Sequence, residues 1–263
     1  MSLQRIHWED LSESLRGAIQ DQAGPVLKAQ TVPEGLNSEI AVFQHTSTGK
    51  VFIKGLRSDH PRVWTQQMEA MISPYVAQVS PRLLWHIETD GWNVLAFEHI
   101  AGRHADYSPE SEDLPKVVEA IRLLGEIRCP NLPLKRAEQR WAPYMDDTSA
   151  LRGDALLHTD VNPLNVLING TARIIDWAWP TRGAAWIEPA CFVLRLMAAG
   201  HTPEEAEAWA QQASSWDLTP EKDIDAFSAA SARVWAEIAQ ADPQPWKKNL
   251  AVMADQWMCY RLS

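Results

Sequence analysis

Four side chains carry the chemistry that can be read from this chain: Lys54, Asp160, Asn165 and Asp176. Asp160 and Asn165 stand in LLHTDVNPLNVLI (156–168), a polar run between apolar anchors. An amide or carboxylate there is costly unless something pairs with it. Asp176 ends VLINGTARIID, which reads as two strands turning on Asn169-Gly170. Such a hairpin brings the ends carrying Asn165 and Asp176 together, so both present oxygen to one space. Mg²⁺ suits that pair, since it takes few protein oxygens and completes its shell with water and phosphate. Asp160, on the loop ahead, can then accept a proton from an attacking hydroxyl. One base and two metal ligands is the division of labour that phosphoryl transfer requires.

The matching cation is Lys54, in the strand-like VFIKGL (51–56). Its stem is flanked by Phe52 and Ile53, and a buried ammonium needs a carboxylate. Glu69 on the following helix is the candidate, with Glu39 a weaker one and Gln66 or Gln67 competing for the same face. Each residue also has a plain reading. Lys54 can be a strand lysine that snorkels, and Asp160, Asn165 and Asp176 can be turn and capping groups. His158 suits a scaffold role, its ring tying the loop to neighbouring backbone, and Asn162 suits a turn. The order of the whole set favours the chemical reading.

In this order and spacing, VFIK, HTDVNPLN and IIDW resemble the eukaryotic-like kinase fold, within it the aminoglycoside phosphotransferase and choline kinase branch. The HxDxxxxN pattern falls on His158, Asp160 and Asn165, and Pro163 fits that branch's loop. Protein kinases usually carry Lys two residues after the Asp and a DFG triplet. Asn162 and Asp176-Trp177-Ala178 stand in those places, which favours the metabolite-kinase branch.

The resemblance runs from about residue 35 to the end. It implies a bilobal, protein-kinase-like α+β fold. Residues 1–99 would form a small β-rich N-lobe with one main helix that binds nucleotide. Residues 100–263 would form a larger helical C-lobe with the catalytic loop, metal and substrate sites. It further implies ATP and Mg²⁺ as cofactors, Asp160 as catalytic base, and Asn165 and Asp176 as metal ligands. Lys54 would contact the α- and β-phosphates, oriented by Glu69. VLAFEHIAG matches the hinge, where the Glu98 carbonyl and the Ile100 N–H would face adenine. EGLNSEIAV resembles a short phosphate loop, with Gly35 and Ser38 near the nucleotide. Relatives often carry Asp-Pro and then Asp-Leu after the metal-binding Asp. Here Glu188 precedes Pro189, and Phe192 stands where the second Asp would be, so the substrate floor is expected to differ.

The elements that must hold these groups are legible in part. Residues 8–22 read as an amphipathic helix. IAVFQ and VFIKGL read as strands around the TSTGK turn, and 83–100 as a hairpin on Asp90-Gly91. Between them a helix is expected from Pro61, capped by Ser58 or Asp59 and kinked or ended by Pro74. Further helices are expected at 115–128 and near 187–200, 203–215, 220–240 and 246–260. Strands first and helices after indicate α+β, with two lobes meeting near 99–103.

Composition narrows the function. The 263 residues are 46% apolar and 22% charged, with no apolar run long enough to span a membrane. The N-terminus lacks the apolar core of a signal peptide. Cys129, Cys191 and Cys259 are far apart and lack metal-site spacing, which fits a reducing cytoplasm. A net charge of −10 argues against nucleic acid as partner. Residues 102–263 hold 16 basic and 23 acidic side chains, hence −7 of that charge. This is either a solubilising surface or a field that attracts a cation. Of the thirteen tryptophans, most are expected to be core, with one or two free to line a pocket. The expectation is an ATP-dependent O-phosphotransferase acting on a small molecule, first of all a cationic aminoglycoside-like antibiotic. Its acceptor would bind between the catalytic loop and the acidic C-terminal helices. A metabolic kinase for an amino alcohol or sugar, and a nucleotide-binding pseudokinase, are the alternatives.

Overall fold

Ser12 opens the first helix, α1 (Glu13–Ala23), by accepting the Leu15 amide at 3.1 Å, the usual N-cap bond. Leu15, Ile19 and Ala23 recur every four residues and are all buried. They join Ile40, Val42, Ile53 and Val94 from the sheet in one apolar cluster. The sheet has five antiparallel strands in the order β1-β2-β3-β5-β4: β1 (Val26–Thr31), β2 (Ile40–Thr46), β3 (Gly49–Arg57), β4 (Leu83–Thr89) and β5 (Trp92–Glu98). Helix α2 (Val63–Val76) lies between β3 and β4 in the chain. The β4–β5 turn has Asp90 at φ 51° and Gly91 at φ 74°, the two positive values that a two-residue turn of this hand needs.

This computed structural model describes residues 5–33 and 37–263. The chain divides into two compact units. Met1–Ala101 with Asp176–Ala178 is the first, and Gly102–Ile175 with Trp179–Ser263 the second.

The first unit differs from expectation in three places. β1 was not expected: most of VLKAQT is exposed or half-buried, so it carries little apolar signal. Neither Ser58 nor Asp59 caps α2, which starts at Val63 behind Arg62 with no side-chain cap. Pro74 neither ends nor precedes the end of the helix by much. It sits in the last turn, where the bond its missing N–H forfeits is one of few still to be made.

The second unit begins with β6 (Arg103–His104), which pairs with β9 (Val166–Asn169), itself paired with β10 (Thr171–Ile174). The approach to β9 is close enough that a Cβ on Gly102 would stand 2.4 Å from the Ile168 carbonyl oxygen, so only glycine fits. Helix α3 (Leu114–Gly125) buries Val117, Val118, Ile121 and Leu124 on one stripe. A second small sheet joins β7 (Lys135–Arg136), β11 (Thr181–Gly183) and β8 (Ala155–Leu157), with the short α4 (Ala137–Trp141) following β7. Helices α5 (Ile187–Ala198), α6 (Pro203–Ala210), α7 (Ser214–Asp217), α8 (Glu221–Ala241) and α9 (Pro245–Leu262) complete it. α8 packs along α9, and α5 against both α6 and α9. Trp257 is wholly buried, and its indole N–H donates to Glu207 Oε1 at 2.6 Å. Arg261 pairs with Glu207 at 3.2 Å, with Asp225 at 2.7 Å and with Glu221. Part of the acidic surplus is therefore structural. No described helix is long and apolar enough to cross a membrane.

Candidate active site

In the first unit Lys54 lies on β3, in register with Ala41 on β2 and Leu95 on β5. Side chains alternate along a strand. Ile53 therefore joins the cluster beneath α1, while Lys54 points to the other face and to α2. Its Nζ is 2.6 Å from Glu69 Oε2 and 3.2 Å from Asp176 Oδ1, and its side chain is 10% exposed. Burial alone would lower the ammonium, but Glu69 and Asp176 outweigh it and hold Lys54 above the ordinary lysine range. Asp176 has φ 65°, a left-handed value unusual for a residue with a side chain, and its other oxygen accepts the Asn37 amide at 2.8 Å. Trp177 is buried and its indole N–H donates to Ser80 Oγ at 3.2 Å, fixing the segment that carries Asp176.

The weaker candidates go elsewhere. Glu39 accepts the Arg57 amide at 2.8 Å instead of meeting Lys54. Gln66 donates to the Asn93 carbonyl and side-chain oxygens at 2.6 and 2.8 Å. Ser38 is buried, and its carbonyl accepts Arg5. Gly35 lies outside the described residues. Glu98 closes β5, with its carboxylate on the Arg82 amide and guanidinium at 3.1 and 3.0 Å, and Ile100 lies just past it, half-buried. Asn37, which sequence reasoning passed over, is the residue of this loop that reaches Asp176.

In the second unit the loop from His158 to Asn165 is held from several sides. The His158 ring bridges the Asp160 amide (3.2 Å, to Nδ1) and the Ile175 carbonyl (3.0 Å, from Nε2), so it is a scaffold. That pattern requires the proton on Nε2. Thr159 has φ 65°, a costly backbone for a β-branched residue. Buried Glu188, on α5, accepts its amide at 2.9 Å with both oxygens and the His158 amide at 2.6 Å with one. Glu188 is thus the anchor of the loop.

Asp160 receives three donors. Arg195 Nη2 is 2.6 Å from Oδ1, Asn162 Nδ2 is 3.1 Å from Oδ1, and Asn165 Nδ2 is 3.1 Å from Oδ2. Asn162 also accepts the Leu164 amide at 2.9 Å, capping the 3₁₀ turn Pro163–Asn165. Asn165 therefore ends that turn, and β9 opens at Val166. The Asn165 amide nitrogen also donates to the Asp160 carbonyl at 3.0 Å, so both its N–H groups are used. Its carbonyl oxygen is the end turned away from Asp160. Oδ2 of Asp160 takes one donor and keeps a lone pair for another, and the side chain is 40% exposed. A carboxylate fixed this way can accept a proton from a hydroxyl without first reorienting.

Arg195 and Arg140 escaped sequence reasoning. Arg195 reaches Asp160 from α5 and lies 5.2 Å from the Trp235 ring centroid. Arg140 on α4 donates to Thr159 Oγ1 at 2.7 Å and to Thr181 Oγ1. No motif marks either. Phe192, which stands where relatives often carry a second Asp, is buried edge-on to Tyr107, centroids 5.2 Å apart, and is part of the core.

No protein-family model matches the sequence, and no curated protein matches it. Solved structures do resemble it throughout. The choline kinase LicA from Streptococcus pneumoniae superposes with a TM-score of 0.65 at 12% identity, covering 94% of this chain and 99% of that one. A thermostable mutant of aminoglycoside phosphotransferase APH(4)-Ia, in ternary complex with AMP-PNP and hygromycin B, gives 0.62 at 16% identity, covering 93% and 99%. A putative aminoglycoside phosphotransferase from Ralstonia eutropha JMP134 gives 0.60 at 10%, covering 95% and 98%. The chain has the kinase-like fold of these phosphotransferases.

Proposed function

We propose that this chain is an ATP-dependent phosphotransferase that acts on a hydroxyl of a small molecule. The observation that carries the reading is the state of Asp160: a half-exposed carboxylate held rigid by Arg195, Asn162 and Asn165, with Oδ2 open to one more donor. In the reaction the acceptor oxygen bonds to the γ-phosphorus, and the bond from that phosphorus to the β,γ-bridging oxygen breaks. The electron pair leaves with ADP, and the hydroxyl proton passes to Asp160. Lys54, kept cationic by Glu69 and Asp176, is the group for the nucleotide phosphates. Ser38, Glu98 and Ile100 are proposed nucleotide contacts. Mg²⁺ fits the donors present, because the Asn165 carbonyl and the Asp176 carboxylate are hard oxygens. When bound, Mg²⁺ neutralises charge that develops on the phosphoryl oxygens. The reaction belongs to the cytoplasm, where ATP is available and three cysteines outside any disulfide are in keeping.

For the acceptor, the acidic C-terminal segment and the hygromycin B bound in one structural neighbour favour a cationic aminoglycoside-like antibiotic. A second reading, a metabolic kinase, is favoured by the cations around the catalytic loop, Arg140 and Arg195. The test is ADP release by the purified chain across antibiotics and metabolites. Turnover should stop with a chelator, return with Mg²⁺, and fall about 10²-fold or more in Asp160→Ala. Nucleotide binding with no ADP release from any acceptor would mean a pseudokinase.

A further inference from the structure

Beside the catalytic loop, within the second unit, lies an open cavity of about 480 Å³ lined by Lys135, Gln139, Arg140 and Trp179. Its lining has two cations, one amide and one indole, and no carboxylate. Lys135 Nζ stands 4.9 Å from the centroid of the Trp179 ring, whose residue is 41% exposed. Arg140 ties the cavity to the chemistry, because its Nη1 holds the hydroxyl of Thr159, the residue before Asp160.

Among the described residues the hydrogen-bond partners of Arg140 are neutral: the Thr159 and Thr181 hydroxyls and the Trp179 carbonyl at 3.5 Å. Among the described residues no carboxylate lies within ion-pair distance of it. The two carboxylates whose charge reaches it are already engaged, Asp160 by Arg195 and Glu188 by the His158 and Thr159 amides. Burial presses the Arg140 guanidinium below the ordinary arginine range. With two hydroxyls, a carbonyl and the Trp141 ring, 5.0 Å from centroid to guanidinium, as its partners, this half-buried cation has no carboxylate paired with it to repay its desolvation. A guanidinium fork also matches the oxygens of a carboxylate or phosphate.

We infer that this cavity receives an oxyanion, carboxylate or phosphate, carried by the acceptor, so that the substrate is an anionic hydroxyl compound. The inference rests on the phosphotransferase reading above and, of its two acceptor classes, selects the metabolic one over the cationic antibiotic. Arg140 and Lys135 bind the oxyanion, Gln139 meets a neighbouring hydroxyl, and the Trp179 indole covers the apolar side of the carbon chain. A cationic acceptor would meet two like charges here, which is the opposite of what the net charge of the segment suggests. Local charge decides, since surface charges more than about 10 Å away are screened.

The experiment uses the full chain with ATP and Mg²⁺ and acceptors in matched pairs, glucose 6-phosphate against glucose and gluconate against sorbitol, with kanamycin as the cation. The anionic member of at least one pair should show kcat/KM about tenfold higher or more, as one charge-assisted contact provides. Lys135→Gln should raise KM for that acceptor about tenfold with kcat little changed. Equal or better turnover of the neutral partners or of kanamycin, or an unchanged KM in Lys135→Gln, overturns the inference. Thermal shift with glucose 6-phosphate and gluconate, in the parent and in Lys135→Gln, separates the two levels. A Lys135-dependent shift without ADP release from any acceptor removes the kinase reading and keeps the anion site. ADP release without such a shift removes the anion site and keeps the kinase.

Discussion

Arg195 Nη2 lies 2.6 Å from Asp160 Oδ1, across 35 residues of sequence, and both side chains are at least partly shielded. The guanidinium is held against Trp235 on α8, so the proposed base is oriented from the helical core of the second unit. Replacement by an uncharged residue leaves Asp160 Oδ1 with the Asn162 amide alone and loosens the hold on the carboxylate.

Arg195→Met should therefore lower kcat by about ten- to a hundredfold, the scale of a misplaced reacting group. Nucleotide affinity should stay within about twofold, because Arg195 touches no proposed nucleotide ligand. Steady-state kinetics with titration of ATP binding reads both, and a loss of affinity with unchanged kcat would count against the positioning role.

Glu188 holds a strained backbone in place. Thr159 at φ 65° is stabilised by a carboxylate that accepts its amide and that of His158. Glu188→Ala leaves the buried His158 N–H and the half-buried Thr159 N–H without acceptors and should cost about 2–5 kcal/mol, seen as a lower denaturation midpoint. Glu188→Gln keeps one acceptor oxygen and should recover much of that loss. A Glu188→Ala protein as stable as the parent would show that the loop is held by something else.

Asp113 gives the second unit an acid-sensitive contact. Its buried carboxylate accepts Arg103 and the Asp106 amide at 3.0 Å, beside Lys116 at 3.6 Å. The Arg103 hydrogen bond holds Asp113 below the usual carboxylate range, although burial works the other way. A carboxyl lowered on folding contributes stability above its unfolded pKa of about 4, and that stability is lost as pH falls through the folded value. Unfolding measured from pH 7 to pH 3 should show a steeper acid loss in the parent than in Asp113→Asn, which lacks the titrating group. Parallel curves would assign the acid limb to other carboxylates.

What could be read in the sequence follows from how local each signal is. The Asp90-Gly91 and Asn169-Gly170 turns, and helices with apolar stripes such as α3 and α8, are set by neighbours in sequence. β1 lacked such a signal because most of it faces solvent, and β6, β7, β8 and β11 are two or three residues long, too short for a period. Lys54, Asp160, Asn165 and Asp176 stood out because their order is a motif. Asn37, Arg140 and Arg195 did not, since each acts through one long-range contact that no spacing encodes. Glu188 was visible only as a departure, and its anchoring role came from geometry.

Lys54 offers a test that separates structure from chemistry. Its ammonium sits between Glu69 at 2.6 Å and Asp176 at 3.2 Å. Lys54→Met leaves Glu69 without its cation and should cost about 3–5 kcal/mol, together with nearly all turnover. Adding Glu69→Met replaces that carboxylate with an apolar chain of similar volume. Such exchanges of a buried pair for apolar groups are often neutral or stabilising. The double variant should then regain most of the lost stability in denaturant unfolding while ADP release stays at the level of the single variant. Turnover that returned along with stability would mean that Lys54 only holds the fold. Stability restored without turnover assigns the lysine to the phosphates.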